Sequence, residues 1–173
     1  MLLPALPVSV AVAVVGAVLL LMAVELQLSL VNDRALRARG AVEPSGDVIG
    51  VMRFAYPGVF LLMGAEGALH GALSRPLVLA GLVLLGAAKV LKFWAVATLG
   101  PRWSYRVLVI PGAPLVTRGP YRLMRHPNYV AVVGEIIAVA VALAAPVTGT
   151  AAVAGFGWLL RRRIAVENRA LGR

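Results

Sequence analysis

The chain opens with residues 1–24, MLLPALPVSVAVAVVGAVLLLMAV, none of which carries a charge. A helix that crosses a bilayer needs about 20 mostly apolar residues, so this stretch predicts a first membrane span. Of the 173 residues, 61% are hydrophobic, which is more than a soluble core of this size needs. The stretch is predicted to be a retained anchor, with a cleaved signal as the open alternative.

Three more apolar stretches follow, and the last of them is interrupted at Ala145-Pro146. Proline and its neighbouring small residues predict that this stretch forms two shorter helices in a hairpin. We therefore predict an all-α integral membrane protein with five transmembrane helices. The predicted helices are about residues 4–30, 51–74, 76–99, 128–145 and 148–166, within a single domain of residues 1–173.

The net charge of +10 arises from 17 lysines and arginines against 7 acids. In a soluble protein this excess would indicate nucleic acid binding. Here the arginines cluster after span one, between spans three and four, and after span five, and only Arg75 lies in a loop on the other side. The positive-inside rule then predicts an outside N-terminus, a cytoplasmic C-terminus and basic loops beside membrane lipids, with no nucleic acid partner.

Cysteine and histidine usage limits the possible chemistry. The chain has no cysteine and only two histidines, His70 and His126. Disulfides and cysteine nucleophiles are excluded, and no metal site is predicted. Glu66 and His70 are four residues apart in span two, and we interpret them as a buried polar pair, or as residues near the outer interface, rather than as part of a polar cavity.

The connection between spans three and four differs from the rest of the chain. Residues 100–126 read GPRWSYRVLVIPGAPLVTRGPYRLMRH, with four prolines and five arginines. A loop of this length in a compact bundle is usually functional. Within it, YRVLVI is predicted to be a short extended piece and RGPYRLMR a helical turn at the membrane surface. We predict that loop 100–127 and the C-terminal segment together form a cytoplasmic cap.

Glu135 lies inside an apolar helix, where a charge costs about 2.5–3.5 kcal/mol on insertion scales. If Pro127 occupies the first turn, Glu135 is about 12 Å along the helix, on the same face as Asn128. Two interpretations stay open. The carboxylate serves a functional pocket, or it is a structural partner of Lys89 or Lys92.

The start of the fourth span favours a ligand of mixed charge. Proline at the first helical position leaves free N–H groups that attract an anion such as a carboxylate. Nearby arginines add positive potential, and tyrosine rings can face a cation. A ligand with both a carboxylate and a fixed positive charge would suit this mixture. The groups concerned are Arg118, Arg122, Arg125, Tyr121 and Tyr129.

After the last span, RRRIAVENRAL places Arg163 and Glu167 four residues apart on one helical face. One interpretation is a surface salt bridge worth under about 1 kcal/mol, and spacing alone favours it. The other is an arginine that orients an anionic substrate, with a carboxylate that holds it.

With these residues in view, LVTRGPYRLMRHPNYV (115–130) resembles the signature of the isoprenylcysteine carboxyl methyltransferase family of integral membrane enzymes. The shared pattern is Gly-Pro-Tyr, a spacer, then Arg-His-Pro-x-Tyr. The resemblance extends from LGPRW (99–103) through RRRIAVEN (161–168) to the end of the chain. Related membrane phospholipid N-methyltransferases share the signature, so it indicates the cofactor better than the substrate.

The resemblance implies S-adenosylmethionine as methyl donor and a site carried over by position. Arg163 and Glu167 match the family's catalytic pair. Eukaryotic members carry a run of glutamates where this chain has VEN, and the pattern is closer to small bacterial members, some of which methylate lipid-like alkylpyrones. The implied cofactor-binding residues are Val116, Gly119, Pro120, Tyr121, Arg125, His126, Pro127, Tyr129 and Glu135.

The expected function is an S-adenosylmethionine-dependent O-methyltransferase in a bacterial cell membrane, with its active site cytoplasmic. Its acceptor would be a lipophilic carboxylate, enol or phenol, isoprenylcysteine-like or alkylpyrone-like, that enters from the bilayer. Arg163 would hold the acceptor oxygen, and Glu167 would hold Arg163 or act as base. The alternatives are a phospholipid N-methyltransferase and a non-enzymatic small membrane transporter or assembly protein. The sequence leaves the oligomeric state open.

Overall fold

The computed structural model describes residues 7–70 and 72–172. These residues form an all-helical fold with five α-helices, as predicted, and Val42 and Val109 form an isolated antiparallel bridge. The helices are α1 Ser9–Ala38, α2 Ile49–Leu69, α3 Arg75–Leu99, α4 Pro127–Ala142 and α5 Pro146–Ala170, with 3-10 turns at Gly100–Arg102 and Gly119–Arg122.

Two helical segments are long and apolar enough to cross a bilayer by length and composition, Ser9–Ala38 and Arg75–Arg102. Helix α4 is apolar but has only 16 residues. Large apolar side chains lie exposed along the outer faces of α1, α2 and α3, as expected for helices that contact lipid. The count of five spans stays a prediction.

Several helix ends differ from the predicted ones: α1 begins at Ser9 rather than near position 4, and α4 ends at Ala142 rather than near 145. Helix α1 continues eight residues past position 30, to Ala38, because its polar last turns pack against the loop after α3. Helix α5 likewise continues past position 166 to Ala170. Helix α2 ends at Leu69 rather than near position 74. Apolar periodicity therefore located the helices better than it located their ends.

Helices α3 and α4 pack through small residues. A Cβ added to Gly81 would lie 2.5 Å from the Ala142 Cβ and 2.6 Å from the Ala138 carbonyl oxygen. A Cβ added to Gly134 would lie 3.2 Å from the Ala88 Cβ. Small residues let the two backbones approach closely, which is how helices commonly associate in membranes.

The hairpin between α4 and α5 forms at Ala145-Pro146 as predicted, with Pro146 at the first position of α5. Glu66 accepts hydrogen bonds from the backbone N–H groups of Val147 (3.0 Å) and Thr148 (2.7 Å), so it caps α5. Glu66 and His70 do not form a buried pair, because the free N–H groups of α5 take both Glu66 oxygens and His70 is exposed. The sequence pattern Gly67-x-x-x-Gly71 would permit a close helix contact, but Gly71 lies outside the described residues.

The apolar core lies between α1, α2, α4 and α5. Apolar side chains from all four helices pack against one another there, and most of them expose almost no surface. Close packing of this kind fixes the helices that carry the polar groups described below. The most buried members are Val18, Phe60, Met63, Ile136, Val139, Leu143 and Ala145.

The loop between α3 and α4, residues 100–126, folds over the ends of the helices and is held by polar groups of α1. The Asn32 side-chain amide donates to the Trp103 carbonyl (2.8 Å), and Ser29 Oγ accepts from the Tyr105 backbone N–H (2.9 Å). Val109 forms an antiparallel bridge with Val42, in the loop after α1. The bridge at Val109 lies within the predicted extended piece, and the predicted helical turn forms as Gly119–Arg122; its place at the membrane surface stays a prediction.

Candidate functional site

A cavity of about 780 Å³ opens between this loop and the helices, and we call it the main cavity. Its size lies within the range of small-molecule sites, about 300–1,000 Å³. One part of its wall is apolar and comes from α1, including Leu19, Met22 and Leu26, whereas another part is polar and comes from loop 100–126 and α5. The main cavity can therefore accept a ligand with a greasy end and a polar end.

Arg163 on α5 lies in the wall of the main cavity and is only 4% exposed. Its Nη1 is 3.2 Å from Asp47 Oδ1, and its Nε donates to the Tyr129 hydroxyl at 3.0 Å. Its Nη2 donates to the Tyr105 carbonyl oxygen. A buried guanidinium with partners at every nitrogen is fixed in orientation, which is what a group that positions a substrate requires.

Glu167 reaches Arg163 through a tyrosine rather than directly. The Tyr129 hydroxyl donates to Glu167 Oε2 at 2.8 Å while accepting from Arg163. His126 Nδ1 lies 3.5 Å from the same carboxylate oxygen, and its ring stacks on that of Tyr129. The predicted arrangement, in which Glu167 holds Arg163, is thus corrected: Asp47 supplies the direct carboxylate, and Glu167 acts through Tyr129.

The charge state of Glu167 follows from these contacts. Burial raises the pKa of this carboxyl, but hydrogen bonds from His126 and Tyr129 outweigh burial and hold the pKa below its usual value of 4.5. Burial also raises the pKa of the Tyr121 phenol far above its usual range. At neutral pH the wall therefore presents a carboxylate at Glu167 and a protonated hydroxyl at Tyr121.

The predicted site residues separate into two groups. Those that line the main cavity are Val116, Tyr121, Arg125, His126, Tyr129, Arg163 and Glu167. The others, Gly119, Pro120, Pro127 and Glu135, lie outside its lining. Gly119 and Pro127 shape the backbone instead: Gly119 has φ +57°, where a Cβ would be 2.4 Å from Thr98 Oγ1, and Pro127 begins α4.

Glu135 is fully buried behind the cavity wall, among two lysines and a second carboxylate. Its oxygens lie 3.2 Å from both Lys89 Nζ and Lys92 Nζ, and Tyr56 donates to it at 2.7 Å. Glu25 of α1 binds the same lysines at 2.9 and 2.6 Å. These four charged residues form a balanced cluster, which we call the ion quartet, and the structural interpretation of Glu135 accounts for its position.

Three residues at the site were not anticipated from the sequence: Asp47, Tyr105 and Tyr56. Asp47 stands at the end of AVEPSGD, two residues before α2 begins, and its side chain is 4% exposed. Tyr105 donates to Glu25 at 2.9 Å and so joins the ion quartet to the Arg163 contacts. The sequence does show Asp47 as a lone acid in a turn just before an apolar helix. It could not show that Asp47 contacts Arg163, because Arg163 lies 116 positions away on α5.

Three buried polar atoms around the main cavity have neither a hydrogen bond nor an ion pair within the described residues. They are Trp103 Nε1, His126 Nε2 and Asn128 Oδ1, and all three residues line the cavity. Because buried polar groups are almost always hydrogen-bonded, these atoms are available to a polar ligand or to water in the cavity. With Nδ1 of His126 facing Glu167, they offer one donor and two acceptors.

Together, the helices and the cavity define a small helical membrane-associated protein whose polar site lies beside an apolar one. Residues 79–173 match the isoprenylcysteine carboxyl methyltransferase (ICMT) family. The chain is also 30% identical over 149 residues to the uncharacterized protein YpbQ of Bacillus subtilis (strain 168), covering 86% of this chain and 89% of that protein. No solved structure matches.

The chain belongs to the ICMT family, which confirms the resemblance read from the Gly-Pro-Tyr and Arg-His-Pro-x-Tyr signature. Family membership indicates a membrane-associated methyltransferase. The matched region contains α4, α5 and the loop before them, and therefore most of the polar wall of the main cavity. Asp47 and the α1 contribution lie outside it.

Proposed function

We propose that the protein is an S-adenosylmethionine-dependent O-methyltransferase whose acceptor is a lipophilic, acidic molecule that enters from the bilayer. The observation that carries this proposal is the fixed guanidinium of Arg163, which stands in the wall of a cavity with one apolar and one polar side. A fixed cation beside an apolar space suits an anionic oxygen on a greasy chain. Residues 79–173 supply the family context for methyl transfer.

The polar part of the main cavity fits the methyl donor. Trp103 Nε1, His126 Nε2 and Asn128 Oδ1 are buried without partners, as expected of groups that await a ligand. Glu167, with its lowered pKa, keeps a negative charge near a cationic ligand. We propose that these groups, with Val116, Tyr121 and Arg125, hold the donor. Bound S-adenosylmethionine would supply a methyl group on a sulfonium sulfur. As the acceptor oxygen bonds the methyl carbon, the carbon–sulfur bond would break and the sulfur would leave as a neutral thioether.

Arg163 retains hydrogen-bonding capacity for the acceptor. A guanidinium has five N–H donors, and the contacts to Tyr129, Tyr105 and Asp47 engage one on each nitrogen. Nη1 also donates to the Met52 sulfur at 3.9 Å, so Nη2 keeps one free N–H, and the second N–H of Nη1 faces only this weak thioether acceptor. These can bind the acceptor's anionic oxygen and hold it in line with the methyl group, and such alignment can contribute about 7–11 kcal/mol to the rate.

Glu167 acts in this proposal as a positioning residue for Tyr129 rather than as a strong base. Its lowered pKa makes it a poor proton acceptor for a phenol, whose pKa is about 10. An acceptor that is already ionised at neutral pH, such as a carboxylate or an acidic enol, requires no base. The electrostatics therefore favour these two acceptor classes over a phenol.

We also propose where the acceptor's tail binds and on which side of the membrane the polar part of the main cavity lies. The apolar side of the main cavity, from α1, would take the acceptor's tail, with access from surrounding lipid. The basic residues around loop 100–126 and after α5 support a cytoplasmic location for the polar side, with the N-terminus outside.

Methyl transfer can be tested with S-adenosylmethionine carrying a deuterated methyl group. The purified protein is incubated with total lipid extract of a bacterial membrane, and products are identified by mass spectrometry. We expect the label in a methyl ester or enol ether, and about a hundredfold less with Arg163→Leu. Arg162→Leu is the matched control, since Arg162 is exposed and stacks on Trp158. Label in an amine headgroup, or equal labelling with both variants, would overturn the proposal.

A further inference from the structure

A second cavity, of about 400 Å³, adjoins the main cavity, and arginines dominate its polar lining. We call it the basic cavity. Arg39, Arg102 and Arg118 line it together with Thr98 and Thr117, and no acidic residue of the described chain does. Three guanidinium groups around one small space constitute a strong local positive potential.

The three arginines are not neutralised by the protein. Among the described residues, the arginines that form ion pairs are Arg37, Arg106 and Arg163. None of them lines the basic cavity. Arg102 donates to the Pro114 carbonyl oxygen at 2.7 Å, which uses one of its five donors and no charge. The basic cavity therefore lacks a negative partner.

The position of the basic cavity along the helices indicates where that partner comes from. Arg39 directly follows α1, and Thr98 and Leu99 end α3, so the cavity lies at the same end of the two helices that are apolar and long enough to span a bilayer. Trp94, one turn before Thr98, is 48% exposed, as is common for indoles at the membrane interface. The basic cavity thus lies near the level of the lipid headgroups.

From these observations we propose that the basic cavity binds the phosphate of an anionic membrane phospholipid. Arginine pairs with phosphate oxygens through parallel hydrogen bonds, and the Thr117 hydroxyl can add a donor, whereas the Thr98 hydroxyl already donates to the Trp94 carbonyl at 2.7 Å. Leu99 and Leu115 give the cavity apolar surface, which suits the part of a lipid just below its headgroup better than it suits a free phosphate ion. The site is distinct from the acceptor site, because Arg39, Arg118 and both threonines line only the basic cavity. Arg102 lines both cavities.

The two cavities share a wall, so lipid binding would affect the main cavity. Leu99, Arg102, Pro114, Leu115 and Val116 line both. The Arg102–Pro114 hydrogen bond ties the two sides of this wall together. A phosphate that holds Arg102 would keep the wall in place and strengthen donor binding. This consequence, unlike lipid binding itself, rests on the proposed function.

The test compares Arg39→Gln/Arg118→Gln with the control Arg34→Gln/Arg161→Gln, which removes the same charge from exposed positions that line neither cavity. Each protein is placed in nanodiscs of phosphatidylcholine with or without phosphatidylglycerol, and lipids retained after release into the gas phase are counted by native mass spectrometry. We expect one tightly retained phosphatidylglycerol in the wild-type protein and the control, and its loss in the cavity variant. Equal retention in both variants would overturn the proposal.

Two further measurements are needed. The first distinguishes a lipid phosphate from a free phosphate ion, and the second distinguishes failure of the lipid site from failure of the proposed function. Inorganic phosphate is titrated into phosphatidylcholine nanodiscs, and saturable binding there that excludes phosphatidylglycerol would assign the cavity to a free anion and refute the lipid. Binding of S-adenosylhomocysteine is then measured in both kinds of nanodisc. In the wild-type protein and the control we expect about fivefold tighter binding with phosphatidylglycerol than without it. The cavity variant should show no such difference. Retained lipid without any S-adenosylhomocysteine binding would count against the proposed function and leave the lipid site standing.

Discussion

The ion quartet of Glu25, Lys89, Lys92 and Glu135 allows a quantitative test of how charges are held inside this protein. Glu135→Gln keeps the shape and leaves an oxygen that can accept from Tyr56, but it removes two contacts of 3.2 Å to the lysines. At an effective dielectric constant of 20, each contact is worth about 5 kcal/mol before desolvation. Two lysines would then share one carboxylate in a site where the side chains are at most 8% exposed.

Breaking a buried ion pair from one side typically costs about 3–5 kcal/mol, because an uncompensated charge remains. We expect this loss in the free energy of unfolding, measured by titrating the protein in mild detergent micelles with a denaturing detergent and following circular dichroism. Adding Lys92→Met to Glu135→Gln leaves Glu25 and Lys89 as a balanced pair. The double variant should therefore be more stable than the sum of the single effects predicts, by about 0.5–3 kcal/mol.

The surface pair of Glu43 provides the control for this experiment. Its partners Arg37 and Arg106 are 49% and 41% exposed, so Glu43→Gln should cost less than about 1 kcal/mol. Additive effects of Glu135→Gln and Lys92→Met, or a loss no greater than that of Glu43→Gln, would refute the conclusion that the quartet is a coupled, charge-balanced unit.

Three other predictions concern the polar wall. Asp47→Asn frees one side of Arg163, so methyl transfer should fall about a hundredfold while affinity for S-adenosylhomocysteine stays within about twofold, as measured by label transfer and calorimetry. Because the pKa of Glu167 is lowered, its carboxylate should stay ionised as pH falls to 4.5 and become protonated only below that pH. Carbon NMR of the carboxyl groups follows this titration, and the signal missing from the Glu167→Gln spectrum identifies Glu167. Gly119→Ala, at φ +57° and against Thr98, should lower stability by about 1–3 kcal/mol in thermal unfolding.

The helices were predictable because apolar runs of helical length leave few alternatives in a membrane protein. The break at Ala145-Pro146 and the start of α4 at Pro127 follow from proline's missing N–H and were both located correctly. The end of α1 was misplaced because Asn32 and Asp33 are typical of an exit to solvent. In the structure they are buried and bind the loop after α3, a tertiary contact that local composition does not encode.

The candidate site was predictable where its residues form a local motif. His126 and Tyr129 lie three apart at the start of α4, and Arg163 and Glu167 four apart on α5, so helical geometry already places the members of each pair on one face. Asp47 and Tyr105 were missed because their contacts with Arg163 join distant parts of the chain. The two interpretations of Glu135 could not be separated by spacing, since the choice depended on whether α3 turns Lys89 and Lys92 toward α4.

The central claim is that the main cavity binds a methyl donor against Tyr129, His126 and Glu167. Calorimetric titration of the folded protein with S-adenosylhomocysteine tests it most directly. We predict saturable binding of one molecule per chain, weakened at least about tenfold by His126→Ala, which removes one of the unpaired buried atoms. Absence of binding to a protein whose circular dichroism shows intact helices would contradict the claim.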